Sequence, residues 1–297
     1  MILGVNLSFA VKRWQEPKEL ASVCSELKVN HFQLNFDFID PWWPEDTRNK
    51  ICHDYRDAFE EKGLCFDSVF GGMADYTFPQ FLGYSKTIRD ISSTFRKRSI
   101  DATVELGGTA YGLALGGMTH KDAYDPEKRE LIYQETIERL IDLAAYGKRK
   151  GLQDIEVEAT PLFTEFPNDP DSSLRMMKDL NGKTDIPVLL FVDWGHALFK
   201  PLLKDKADLK IWLTTLKPYL GNMHLQQTDG MLDRHWDFRH TEGIVTREMI
   251  QDVLSSTGTE DKILYLEFSP AFETTDDDVL EGMKYSIEYL KPIADNL

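Results

Sequence analysis

Six side chains in the second half of this chain are of kinds that apolar strands rarely carry. Glu156 and Glu158 alternate in "IEVEAT", Asp193 closes the apolar run "LLFVD" with His196 three residues on, His224 sits in "NMHLQQ", and Glu267 follows "LYL". An unpaired carboxylate in such a run costs several kcal/mol, comparable to the whole stability of a domain. Taken singly, each has an ordinary explanation as a surface acid, a helix cap or a hydrogen-bonded core histidine. An acid or a histidine at the same level of four consecutive runs calls for a shared one. Two glutamates, an aspartate and a histidine that meet at one point form a divalent-cation site, and the cation compensates the buried charge. Three oxygens and one imidazole suit Mg, Mn or Co better than a structural zinc. A cation so held polarises substrate oxygens, and the carboxylates beside it are general acid and base candidates.

Such a meeting requires the four runs to be neighbouring strands. Short runs rich in Val, Ile, Leu and Phe alternate with longer amphipathic stretches along the chain, as a parallel sheet covered by helices does. There are eight: "ILGVNLSFA", "VNHFQLNF", "LCFDSVF", "DATVELGG" from Asp101, "DIEVEAT", "IPVLLFVDW", "GNMHLQQTD" and "KILYLEFS". Helices such as "RELIYQETIERLIDLAAYGKRKG" and "TREMIQDVLSST" lie between them, several behind a capping Asp, Ser or Thr. The 297 residues show no Ser/Gly linker or composition break. The expectation is one α/β domain over 1–297, a single parallel (β/α)8 TIM barrel with its chemistry at the C-terminal ends of the strands. On that ground Glu158, nearer the strand end, is preferred to Glu156 as the ligand, with the reverse assignment left open.

Composition excludes several functions. A formal charge of -16 is unsuited to nucleic acid and to anionic membranes. Three cysteines without a C-x-x-C pair give neither a disulfide framework nor a zinc knuckle, and the absence of a basic leader or a membrane-length apolar stretch points to the cytoplasm. Dinucleotide, Walker, nucleophile-elbow and H-E-x-x-H motifs are missing. The sequence allows a homo-oligomer without fixing one.

The set Glu158, Asp193 with His196, His224 and Glu267 resembles, over essentially the whole chain, the metal-dependent sugar isomerase and ketose 3-epimerase branch of the xylose isomerase-like barrel superfamily. The resemblance implies that Glu158 and Glu267 are both metal ligands and the acid/base pair, that Asp193 and His224 complete the metal sphere, and that His196 contacts the sugar. It implies proton transfer alpha to a carbonyl through an enediolate. Transfer on opposite faces of one carbon gives epimerisation, and return to the neighbouring carbon gives aldose–ketose isomerisation. The family's substrate arginine has two contenders in "HLQQTDGMLDRHWDFRHTEGIV", Arg234 and Arg239, because the segment is longer here and lacks a Pro-Gly turn. The segments "HLQQTDG", "DRHWDF", "FAVKRWQEP" and "FDFIDPWWP" resemble a narrower group containing apiose isomerase and enzymes of four-carbon ketose phosphates.

The acidic "SPAFETTDDD" after the last strand disfavours a phosphate, so the expected substrate is a neutral sugar of four to six carbons such as apiose, with a tetrulose phosphate as the alternative. The Gly-rich "ELGGTAYGLALGG" after the fourth run is either a phosphate cradle or a lid. Phe36, Trp42, Trp43 and Trp236 are candidates for the sugar's apolar face, and Lys12 for a hydroxyl. Two rivals remain, a metal-dependent endonuclease, which the acidity opposes, and an inactive sugar-binding barrel, which has no need of two strand-end glutamates.

Overall fold

The computed structural model describes residues 1–294. Eight strands, Ile2–Asn6 (β1), His31–Asn35 (β2), Cys65–Phe70 (β3), Ala110–Leu113 (β4), Asp154–Glu158 (β5), Val188–Asp193 (β6), Leu220–Leu225 (β7) and Ile263–Leu266 (β8), pair in sequence order, all parallel. β1 pairs with β8, so the sheet closes into a single (β/α)8 TIM barrel, as the alternation predicts.

The helices are Pro17–Glu26 (α1), Glu45–Glu60 (α2), Ala74–Thr77 (α3), Lys86–Glu105 (α4), His120–Tyr124 (α5), Pro126–Lys150 (α6), Pro170–Leu180 (α7), Trp194–Ala197 (α8), Lys200–Leu203 (α9), Leu209–Leu216 (α10), Arg247–Thr257 (α11) and Asp276–Ala294 (α12). Side chains of Asp125, Asp169 and Thr246 accept from free N–H groups at the starts of α6, α7 and α11, and Gly151 closes α6 in the left-handed conformation.

One strand lies elsewhere than the sequence suggests. The run "DATVELGG" is the end of α4 and its turn, and β4 is the following "AYGL". Ser85 caps α4, and the buried positions Arg89, Ser92, Arg96, Ser99, Ile100 and Thr103 recur at helical spacing straight through the run. Gly107, at φ +85°, ends the helix. The Gly-rich segment therefore spans a helix end, a strand and a loop.

Large side chains inside the barrel are matched with glycines on other strands. A Cβ on Gly4 would lie 2.5 Å from the Tyr265 ring, one on Gly112 2.3 Å from the Phe70 ring, and one on Gly221 2.4 Å from Glu156 Oε1. Phe70, Phe191 and Tyr265 form a separate apolar cluster there. Phe70 and Phe191 carry the His224 ring, with centroids at 4.9 and 4.3 Å. The strand ends thus stand on a packed aromatic floor.

Candidate active site

In the strand register Asp193 of β6 lies opposite His224 of β7. Glu158 ends β5 and Glu267 follows β8, so the four strand-end residues meet around one imidazole. His224 Nδ1 is 2.9 Å from Glu267 Oε2, 3.2 Å from Glu158 Oε1 and 3.9 Å from Asp193 Oδ2. Behind the ring, Gln33 Oε1 lies 2.6 Å from His224 Nε2 and accepts from Asn6 Nδ2 as well, while the Gln33 amide donates to Ser68 Oγ. An amide oxygen at Nε2 keeps a ring proton there and leaves Nδ1 as the nitrogen that faces the carboxylates.

The electrostatics follow from crowding acids around one base. Burial disfavours charge on His224, but Glu267 and Glu158 outweigh it and lift the imidazole to about 9. Burial likewise opposes ionisation of Glu267, yet His224 and His235 together hold its carboxyl below the usual range. Asp193 is pushed up, chiefly by burial. Its Oδ1 accepts from the His196 N–H and from Gln226 Nε2, and its fully buried Oδ2 has no hydrogen-bond partner among the described residues. Ligand atoms of Glu158, Asp193 and His224 all lie within 4.8 Å of one another. An unpartnered carboxyl oxygen grouped with a glutamate and an imidazole nitrogen fits a divalent cation.

Glu156 points the same way as Glu158 one layer deeper. Its Oε1 accepts from the Asn222 N–H, and burial, reinforced by Asp154, raises its carboxyl to about 8. Above the strand ends a cavity of about 370 Å³ is bounded by Glu267, His196, His235, Glu165 and the apolar faces of Phe70 and Tyr76. Among the described residues no lysine or arginine lines it. Glu165 is buried, which lifts its carboxyl to about 7.

Other sequence candidates lie away from this cavity. Arg234 is paired with Asp229 at 2.7 Å and packs over Trp236, which also stacks on His240. Arg239 is paired with Asp237 and Asp278. These three, Arg234, Arg239 and Trp236, border an outer cleft. Lys12 stands over the Phe272 ring, and Phe36 and Trp42 line another cleft of about 730 Å³.

The residue that enters from the long loop is His235, which sequence reasoning passed over. Gln227 and Trp236 form an antiparallel bridge with both N–H···O distances 3.1 Å. Asp233 and His235 line the cavity while Arg234 and Trp236 border the outer cleft, and His235 takes the left-handed conformation, at φ +47°, between them. His235 Nε2 lies 3.0 Å from Asp233 Oδ1, and its Nδ1 3.4 Å from Glu267 Oε2. No pattern in "DRHW" announces this, since it depends on the backbone turn at His235. Asp193, His196 and His235 also converge within 4.8 Å, but the Gln226 amide nitrogen already donates to Asp193 Oδ1 and Asp233 Oδ1 at this spot. Tyr76, whose hydroxyl donates to Glu158 Oε2 at 2.5 Å, was also unforeseen.

The chain matches no protein-family model. It is 23% identical over 304 residues to D-erythrulose 1-phosphate 3-epimerase of Brucella abortus (strain 2308), covering 99% of this chain and 97% of that one. The solved structure of D-psicose 3-epimerase from Clostridium cellulolyticum H10 shares the fold, with a TM-score of 0.73 at 13% identity and 99% of each chain covered. A protein of Rhodospirillum rubrum ATCC 11170, solved as a candidate xylose isomerase, is 42% identical with a TM-score of 0.95, over 98% of this chain and 99% of that one. Kinship of that extent, on a barrel whose strand ends gather two glutamates, an aspartate and a histidine, makes the chain a member of the xylose isomerase-like superfamily, in its sugar isomerase and ketose 3-epimerase branch.

Proposed function

We propose that the protein moves a proton alpha to the carbonyl of an unphosphorylated sugar of four to six carbons, as a divalent-metal-dependent isomerase or epimerase with apiose as a representative substrate. The observation that carries this reading is the orphaned Asp193 Oδ2 among Glu158, Glu267 and the Nδ1 face of His224. These four residues hold the cation, Mg, Mn or Co. When bound, it supplies Lewis acidity that stabilises the negative charge developing on substrate oxygens.

This chain's own groups do the rest. Glu158 and Glu267 take and return the proton, and His224 is kept in one tautomer by Gln33. His196, whose Nδ1 is anchored on the Ala159 carbonyl, presents Nε2 toward the cavity mouth beside Asp233, and His235 and Glu165 complete the polar contacts to hydroxyls. The apolar faces of Phe70, Met73 and Leu162 exclude water from the rest of the sugar. A cavity of about 370 Å³ accommodates a short sugar. Its freedom from lysine and arginine favours a neutral substrate, since a phosphate is ordinarily held by cations or by N–H groups. The second reading, a tetrulose phosphate, draws support from the Brucella relative named for that substrate. We take the whole chain as one functional unit, working in the cytoplasm. Among the described residues no helix is long and apolar enough to cross a membrane.

The test is deuterium incorporation from heavy water into apiose, the erythruloses and their phosphates, with the metal-loaded protein. Exchange next to the carbonyl, abolished by chelation, is the expected result, and its position separates epimerisation from isomerisation. Glu158→Gln and Glu267→Gln each keep the side-chain volume and lose proton transfer, so each is expected to lower turnover by at least a hundredfold with the circular dichroism spectrum unchanged. Near-normal turnover in both overturns the mechanism.

A further inference from the structure

The geometry points to Tyr76 as a positioning residue that acts on one of the two strand-end glutamates, Glu158, and leaves the other alone. The inference rests on the isomerase and epimerase reading above.

Tyr76 belongs to α3, a single turn of helix that its own packing does not hold. Its ring is 40% exposed. The neighbouring residue is the anchor. Asp75 is fully buried and ion-paired to an equally buried Arg96 at 2.5 Å, and Arg96 also donates to the Tyr111 hydroxyl and the Ala114 carbonyl. The Asp75 carboxylate occupies the space where a Cβ on Gly71 would stand, and the Met73 N–H donates to Asp37 Oδ1 at 3.0 Å. A buried ion pair adds little net stability over an apolar packing, but its directional bonds fix where a backbone segment sits. Here the fixed segment delivers the Tyr76 hydroxyl to Glu158.

The two oxygens of Glu158 are thereby divided. Oε1 faces His224 Nδ1 and the cation site, and Oε2 accepts from Tyr76 beside the cavity. Glu267 is arranged differently: its ion-pair partners are the imidazoles of His224 and His235. A phenol can donate to a carboxylate and accept from the carboxylic acid that replaces it once a proton has been taken. Tyr76 can therefore keep Glu158 in one orientation through the transfer, and Glu267 depends on nothing from α3.

An asymmetric effect on the two faces of the substrate follows. D-erythrulose and L-erythrulose differ only at C3, so each presents its C3 proton to the opposite face and hence to a different glutamate. The experiment follows deuterium wash-in at C3 of the recovered, unepimerised sugar, an exchange that one glutamate carries out alone, by chiral separation and mass spectrometry, for the magnesium-loaded wild type and the Tyr76→Phe variant. The expected result is a roughly tenfold slower wash-in for one enantiomer, the worth of one charge-assisted hydrogen bond, with the other within about twofold and KM unchanged. Equal slowing of both enantiomers, or of neither, overturns the inference. If the wild type exchanges neither erythrulose nor any other sugar, it is the functional reading that fails. The crystal structure of Tyr76→Phe then decides the role of Tyr76: a Glu158 carboxylate rotated from its wild-type position upholds it, and a superimposable one overturns it.

Discussion

His224 is gripped on one edge by amides and on the other by acids, and that division gives the site its handedness. Gln33, Asn6 and Ser68 have no charge and no striking neighbours in the sequence, yet they decide which ring nitrogen meets the carboxylates. The four strand-end residues were legible because charge inside an apolar run is conspicuous. Their partners were not, because a glutamine in "HFQLN" looks like any half-buried polar residue. Arg234 and Arg239 attracted notice by type, but the left-handed turn of the backbone at His235 brings that side chain to the cavity and leaves both arginines at the outer cleft. Glu165 carries a testable consequence of its own. Burial lifts its carboxyl from 4.5 to about 7, so the folded protein holds that proton more tightly than the unfolded chain. Stability then falls as pH rises from 4.5 to about 7 and stays lower above it, by roughly 3 kcal/mol at most. Glu165→Gln is expected to be the more stable protein above pH 7 and about equal to wild type below 4.5, as urea denaturation at the two ends of that range will read.

The elements show why seven strands of the eight fell where the pattern placed them. A nearly continuous apolar run such as β6 is unambiguous, and β5 declares itself by strict alternation, with Ile155 and Val157 between Asp154, Glu156 and Glu158. The region before β4 is ambiguous, since "DATVE" offers alternation and helical spacing at once. The cap at Ser85 and the row of buried residues on α4 settled the competition in favour of the helix, and the short "AYGL" took the strand. Strand interiors hold a second constraint that no alternation rule reveals, the pairing of glycine with a bulky partner across the barrel. Gly221→Ala on β7 puts a methyl group 2.4 Å from Glu156 Oε1, which is itself hydrogen-bonded to the Asn222 N–H. The Glu156 carboxyl must shift and give up that hydrogen bond. The expected cost is about 1–3 kcal/mol, measured as a lower urea midpoint at unchanged slope.

Across the whole molecule, a chain with a net charge of -16 concentrates several acids at the mouth of one barrel. Without a cation, the protonated His224 is what holds them together. Its pKa is raised in the folded state, so its contribution is complete below pH 6.5 and disappears as pH rises through about 9. Protein treated with chelator is therefore expected to lose thermal stability across that interval. Restoring Mg or Mn at a hundred times its dissociation constant should add about 2.7 kcal/mol and remove the decline. Scanning calorimetry at several pH values, with and without chelator, checks both statements, and a decline that persists at saturating metal counts against His224 as a ligand. The division of labour around the barrel has a further consequence. Every residue assigned to the cation lies on or beside β5 to β8, while β1 to β3 and their loops supply Asn6, Gln33, Asp37 and Tyr76. In genetic terms the cation ligands and the groups that hold them in place are written far apart: the later codons spell the ligands, and the first hundred spell Asn6, Gln33 and Tyr76, which set how His224 and Glu158 are presented. A change early in the gene can therefore disturb the reaction without altering a single ligand.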